Sequence, residues 1–230
     1  MNCLNQSQSI VDYPLIESSE NIFLGGRDLV YLAGLSWDAI DSQSNQLLSH
    51  LAQTHRVFFI AEPVLEFISS WWLEIRRDEC GVWVVVAHLP DWVSEALVTA
   101  MHHGLMDDLF EKYAINSPIL WYCTLGTLSF TSHLKSAVIV YDCMNKLSVV
   151  QDISPTLQAL EQQLFDRADL VFCQEQNLHQ TKQHPNLHFF PNQKNQNWNE
   201  ISALIEAAIV TKLQTSNCHK DGYLMDFRQV

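Results

Sequence analysis

Basic residues are scarce in this chain. Its 13 Lys and Arg stand against 26 Asp and Glu, for a formal charge of −13. The bases are scattered, so no Lys/Arg cluster is available to release counterions from a phosphate backbone, and nucleic acid is not expected as a partner. Anionic membrane surfaces are disfavoured on the same ground. Long apolar runs are also missing: none approaches the ~20 residues that a membrane-spanning helix needs, so no transmembrane segment is expected. The opening stretch MNCLNQSQSIVDYPLIESSEN has no basic region followed by an apolar one, and no signal peptide is expected. The six cysteines, Cys3, Cys80, Cys123, Cys143, Cys173 and Cys218, form no C-x-x-C pair. Cys123, Cys143 and Cys173 fall in or beside apolar runs, which suits buried free thiols, and a reducing cytoplasm is the expected location.

Several chemical signatures are absent as well. Neither G-x-G-x-x-G nor G-x-x-x-x-G-K-[ST] follows the first apolar run, so the dinucleotide fingerprint and the P-loop are excluded and no cofactor is expected. There is no H-E-x-x-H. His102 and His103 are adjacent and point in different directions on a helix, while His179 and His184 are five apart, off the shared-face spacing. No metal is expected. No G-x-S-x-G elbow marks a nucleophile.

What the chain does have is length and alternation. With 230 residues, 47% hydrophobic and 17% charged, it is long enough for a substantial core and too apolar for wholesale disorder. Strand-like runs begin at Asp28, Arg56, Val82, Ile119, Ala137, Leu170 and Leu187, and most are continuously apolar, as in a parallel sheet covered on both faces. Helical spacing appears from near Ser44 (Leu47, Leu48, Leu51, Ala52), from Ser154 with Pro155 in first position (Leu157, Leu160, Leu164, Phe165), and from Trp198 (Ile201, Leu204, Ile205, Ala208, Ile209). Residues 91 to 114 read as a longer helix or a helix pair broken near Gly104. The pattern predicts an α/β fold: a single Rossmann-like, doubly wound, mostly parallel sheet of about seven strands with helices on both faces. Residues 28–214 form that domain, with an N-terminal extension at 1–27 and a C-terminal tail at 215–230.

In such a sheet ligands bind outside the carboxyl ends of the strands, near the reversal of strand order. Those ends carry Trp37 and Asp38, then Glu62, then Asp142, Asn145 and Lys146. Each has a plainer reading beside the functional one. Asp142 can cap a helix or satisfy loop amides. Glu62 before Pro63 can be a turn carboxylate, and Trp37 can be a packing residue rather than a platform for a sugar. Trp71 and Trp72 read as core with partial exposure.

The stretches DLVYLAGLSWD, RVFFIAEPV, SPILWY, VIVYDCMNKLS, LEQQLFDRADLVF and HPNLHFFPN, in that order from Asp28 to Asn192, resemble the N-terminal half of bacterial GT-B, group 1-type glycosyltransferases. Some of these enzymes are found beside UDP-galactopyranose mutase. The family places two Rossmann-like domains across a cleft, the N-terminal one holding mainly the acceptor and the C-terminal one the nucleotide-sugar donor. The resemblance implies that Trp37, Asp38, Glu62, Asp142, Asn145 and Lys146 line the acceptor side.

The departures are systematic. Leu35, Trp37 and Asp38 match the family's first loop, S-H-L-R-W-D-F, but Ala33, Gly34 and Ser36 replace its Ser, His and Arg. Ser42 to Gln46 occupy the positions of Q-R-P-Q-H, leaving only the following Leu47. Ala61, Glu62, Pro63 and Val64 stand for E-E-P-V, and Asn145 and Lys146 replace two acids of Y-D-C-M-D-E-L-S. After Pro191, Asn192 to Asn195 replace S-S-V-D. Loss of Arg removes a planar charged donor, and loss of His removes the readiest base near neutral pH. A second Rossmann-like domain does not fit after residue 215, although a piece of a longer protein would give the same pattern. The expectation is therefore a glycosyltransferase-like domain that does not transfer sugar alone and acts as a binding or assembly module in polysaccharide or glycan biosynthesis. Its partner is then a donor-domain glycosyltransferase subunit or a glycan-assembly protein. The alternatives are the acceptor-side subunit of a split enzyme, and a small-molecule sensor.

Overall fold

The structure, a computed structural model, describes residues 9–12, 26–143, 154–173, 184–190 and 197–222. Its strands are β1 (Ser9–Asp12), β2 (Leu29–Leu32), β3 (Val57–Ile60), β4 (Val64–Glu66), β5 (Trp72–Arg77) and β6 (Trp83–Pro90), followed by β7 (Ile119–Tyr122), β8 (Val138–Asp142), β9 (Leu170–Cys173) and β10 (Leu187–Phe189). The helices are α1 (Ser42–Leu51), α2 (Glu95–Lys112), α3 (Leu128–Thr131), α4 (Pro155–Arg167) and α5 (Trp198–Gly222). The strands form one sheet in the order β1-β5-β6-β3-β2-β7-β8-β9-β10, with β4 paired to β6. Every pairing is parallel except β5 with β6. The central order β6-β3-β2-β7-β8-β9 is that of a doubly wound sheet, with β3 joined to β6 through β4 and β5 rather than a helix, and the chain reverses its direction of travel between β2 and β7.

Why the strands are continuously apolar is visible in their two sides. Leu29, Tyr31, Val57, Phe59, Ile119, Trp121, Val140 and Phe172 pack with Leu47, Leu48 and Leu51 of α1 and Ile201 and Ile205 of α5. The intervening Val30, Leu32, Phe58, Ile60, Leu120, Tyr122, Ile139 and Val171 pack with Leu105 and Leu109 of α2, Phe130 of α3 and Leu164 of α4. The sheet thus divides two separate cores, and each fully buried large apolar side chain contributes about 1.5–3 kcal/mol.

All seven expected strands are present, and three further ones, β1, β4 and β5, extend the sheet. Of these, β5 alternates buried with half-exposed residues and carries Glu74, Arg76 and Arg77, so a search for apolar runs passes over it. Trp72 is half-buried there, stacked on His88 at 3.9 Å between ring centres. Of the two readings of residues 91–114, the longer helix holds: α2 runs through Gly104 for 18 residues, because His102, Leu105, Met106 and Leu109 anchor both sides of the glycine in the core. α4 starts as expected, with Ser154 Oγ accepting from Leu157 N–H and Pro155 in the first turn, but Leu157 itself is exposed. No helix among the described residues is long and apolar enough to cross a membrane.

At the amino ends of β2 and β3 the register is held by a bidentate ion pair. Arg56 Nε and Nη2 donate to the two carboxylate oxygens of Asp28 at 2.7 and 2.8 Å, and Nη2 also reaches Tyr113 O at 2.8 Å.

Candidate functional site at the carboxyl edge of the sheet

The chain leaves β2 through a turn at Gly34, whose φ of +64° favours a residue without Cβ. A Cβ placed there would lie 2.3 Å from Cγ2 of Thr124. The turn leads to Asp41, the N-cap of α1, whose Oδ1 accepts from the backbone N–H of Gln43 and Ser44 at 2.9 and 2.8 Å. Its Oδ2 accepts from Ser44 Oγ at 3.0 Å. An N-cap of this kind contributes about 1 kcal/mol and fixes where the helix starts. Here it sets Gln43, Ser44 and Leu47 along one wall of a crevice.

Parallel strands supply the floor. Trp121 of β7, Asp142 at the end of β8 and Phe172 of β9 lie side by side, with Phe190 beyond β10 and Trp198 and Ile201 of α5 closing the opposite wall. The rings of Trp121 and Phe172 are 5.4 Å apart between centres, and Phe190 meets Phe172 edge-on at 5.1 Å. Trp121 Nε1 donates to Asp142 Oδ2 at 3.3 Å, and Asp142 is only 4% exposed. The crevice is shallow: the empty space among these side chains is about 310 Å³ with open solvent counted in, and little of it is enclosed. Its position, on the α1 side next to the reversal between β2 and β7, is where an open α/β sheet binds ligands. Mostly aromatic and aliphatic walls with three polar side chains suit a small ligand that has one apolar face and a few hydroxyl or cationic groups.

Behind the floor, burial governs the ionisable groups. Burial pushes the Tyr31 hydroxyl well above its usual range, with nearby Cys123 and Asp142 adding to the effect. The Cys123 thiol is likewise pushed well up, first by burial and then by the Asp142 charge, and its hydrogen bond with Tyr31 only partly offsets this. A thiol in that state stays protonated at neutral pH and is a poor nucleophile. Cys173, also pushed up by burial and Asp142, behaves alike.

Of the residues proposed from the sequence, Asp142 lines the crevice. Trp37 is 8% exposed and packs edge-on against Phe59 with ring centres 4.9 Å apart, which is its packing reading. Asp38 and Glu62 are exposed at the carboxyl ends of β2 and β3, outside the crevice lining. The Glu62 backbone N–H donates to Leu35 O at 3.2 Å, tying the two loops together. Asn145 and Lys146 lie outside the described residues. Sequence reasoning did not single out Trp121, Phe172, Phe190 or Trp198. The available signal was period-two alternation: Trp121 and Phe172 each sit one residue before the end of their strand and on the α1 side.

No family model matches the sequence, and no curated protein matches it. Among solved structures, the chain is similar to one described as "Trehalose-6-phosphate from E. coli bound with UDP-2-fluoro glucose", with 14% sequence identity and a TM-score of 0.43. The likeness covers 65% of this chain and 40% of that one.

Proposed function

We propose that residues 28–214 form a glycosyltransferase-like domain whose crevice holds a sugar or glycan end, and that the chain acts as a binding or assembly module rather than a transferase. The observation that carries this reading is the crevice itself: a buried carboxylate on an aromatic floor, at the strand-order reversal of a doubly wound sheet. Aromatic faces pack against the C–H side of a sugar ring, while Asp142, Ser44 and Gln43 meet its hydroxyls. Two features support a non-catalytic role. Gln43, at a position where the resembling glycosyltransferases carry Arg, brings no charge to the crevice. Thr124 fills the space beside Gly34 that the side chain of their His would enter.

A second reading, the acceptor-side subunit of a split glycosyltransferase, is favoured by a separate observation. Leu65, Phe67 and Trp92 are 53%, 88% and 61% exposed around the outer end of β4 and β6, at the same carboxyl edge as the crevice. A donor-domain protein facing that edge would cover them.

Thermal unfolding with a panel of monosaccharides, sugar phosphates and nucleotide sugars tests the crevice. A ligand present at 100 times its dissociation constant raises stability by about 2.7 kcal/mol. Stabilisation that disappears in Asp142→Ala is expected, and the same stabilisation in that variant would remove Asp142 from the site. Purification from native cells then separates the two readings. A stoichiometric donor-domain protein with transfer activity supports the split enzyme, and glycan-assembly components without transfer support the module.

A further inference from the structure

We propose that His103, Asp107 and His133 form a binding site for a divalent transition-metal ion of the zinc class, on the face of the sheet opposite the crevice. The site begins with helix periodicity. His102 points into the core, 3% exposed and stacked on Phe130 at 3.6 Å between ring centres. Its neighbour His103 is thereby turned outward, and Asp107, four residues on, shares that side of α2. α3 lies against α2, with Phe130 on His102, and the turn after it delivers a second imidazole. His133 stacks on His103 with ring centres 3.4 Å apart.

The donor atoms are already close. His133 Nε2 lies 2.8 Å from Asp107 Oδ1, and His103 Nδ1 lies 3.5 Å from Asp107 Oδ2. One ligand atom from each of the three residues falls within 4.8 Å of the others. Two ligands on one tetrahedral zinc stand about 3.3 Å apart, given metal–ligand bonds of about 2.0–2.1 Å. Small side-chain rotations at this exposed site close the difference. Two imidazoles and one carboxylate suit zinc, nickel, cobalt or copper, whereas magnesium and calcium favour oxygen ligands. Three protein ligands leave a further position for water or an incoming group. The surroundings are acidic, with Asp108 and Glu111 close to Asp107 along α2. Such a field draws cations.

Isothermal titration of the full chain with ZnCl2 and NiCl2, with MgCl2 for contrast, tests the assignment, together with the absorption spectrum of the Co2+ form. One transition-metal ion per chain is expected, with nitrogen and oxygen ligation and no sulfur-to-cobalt charge-transfer band. His103→Ala and His133→Ala should each weaken binding by at least the roughly 10–100-fold that loss of a mere supporting partner costs. If His133→Ala does not fold, His103→Gln, which keeps the side chain's polarity and approximate bulk, carries the same test. Unchanged affinity in the folded variants, sulfur ligation, or no saturable zinc binding overturns the proposal.

Discussion

The two faces of the sheet treat their buried polar groups differently. On the side of α2, α3 and α4 most of those groups are matched within the fold, although His102 Nε2 and Trp71 Nε1 are buried with no hydrogen-bond partner among the described residues. Tyr122 Oη and Thr131 Oγ1 are 3.0 Å apart, and Thr131 Oγ1 donates onward to Thr127 O at 2.6 Å. His102 is neutral, its ionisation driven down to about 4 by burial. On the side of α1 and α5, by contrast, Gln43, Ser44 and Asp142 line an opening, with Tyr31 and Cys123 buried behind its floor. One face spends its polarity on holding elements together, and the other presents polarity at a crevice. Loss of a polar group should therefore lower stability on the first face and lower binding on the second.

The largest effect tests whether the crevice floor is also core. Trp121→Ala, at 1% exposure, should cost about 3–5 kcal/mol in urea unfolding and abolish crevice binding. A loss under about 1 kcal/mol would mean that the floor is not a packed layer.

Next is a pH effect belonging to the α2 face. The His102 value in the folded protein, about 4, lies below the ordinary 6.5, so the unfolded chain binds more protons between those limits. Stability is then fully present above pH 6.5 and falls as pH drops toward 4, by up to about 3 kcal/mol. His102→Phe should remove that slope when unfolding is followed across the same pH range. If the slope persists, other groups carry it.

Smaller changes sharpen the contrast. Tyr122→Phe deletes one matched hydroxyl and should cost about 1 kcal/mol without altering ligand-induced stabilisation. Asp142→Asn keeps an acceptor for the Trp121 indole while removing a buried charge. Its stability should change by less than about 0.5 kcal/mol, in either direction, while crevice binding falls. A large stability loss together with unchanged binding would reverse the assignment of the two faces.

Much of the fold was legible in the sequence because burial leaves a local mark. A strand covered on both sides must be apolar at every position, so the runs at Leu29, Val57, Ile119, Val138 and Leu170 announced a doubly wound sheet. Ser154 before Pro155 marked the start of α4 in the same local way. β5, set between β1 and β6, was hidden because it buries only alternate residues, and the fate of Gly104 depended on what flanked it in three dimensions. The carboxyl-edge rule picked out Asp142, but it also pointed to Asp38 and Glu62, because sequence gives a residue's place on a strand end and not the direction it faces.

The sequence by itself determined the alternation of strands and helices, the acidic surface and the helix starts, since each is set by neighbouring residues along the chain. Tertiary structure alone decided which residues share a site. Trp121, Asp142 and Trp198 are far apart in sequence and meet only because parallel pairing sets β7 beside β8 and α5 folds back over their ends. His103 and His133 meet only because α3 packs on α2. Such convergence depends on pairing and packing between distant segments, for which no local pattern in the chain is required.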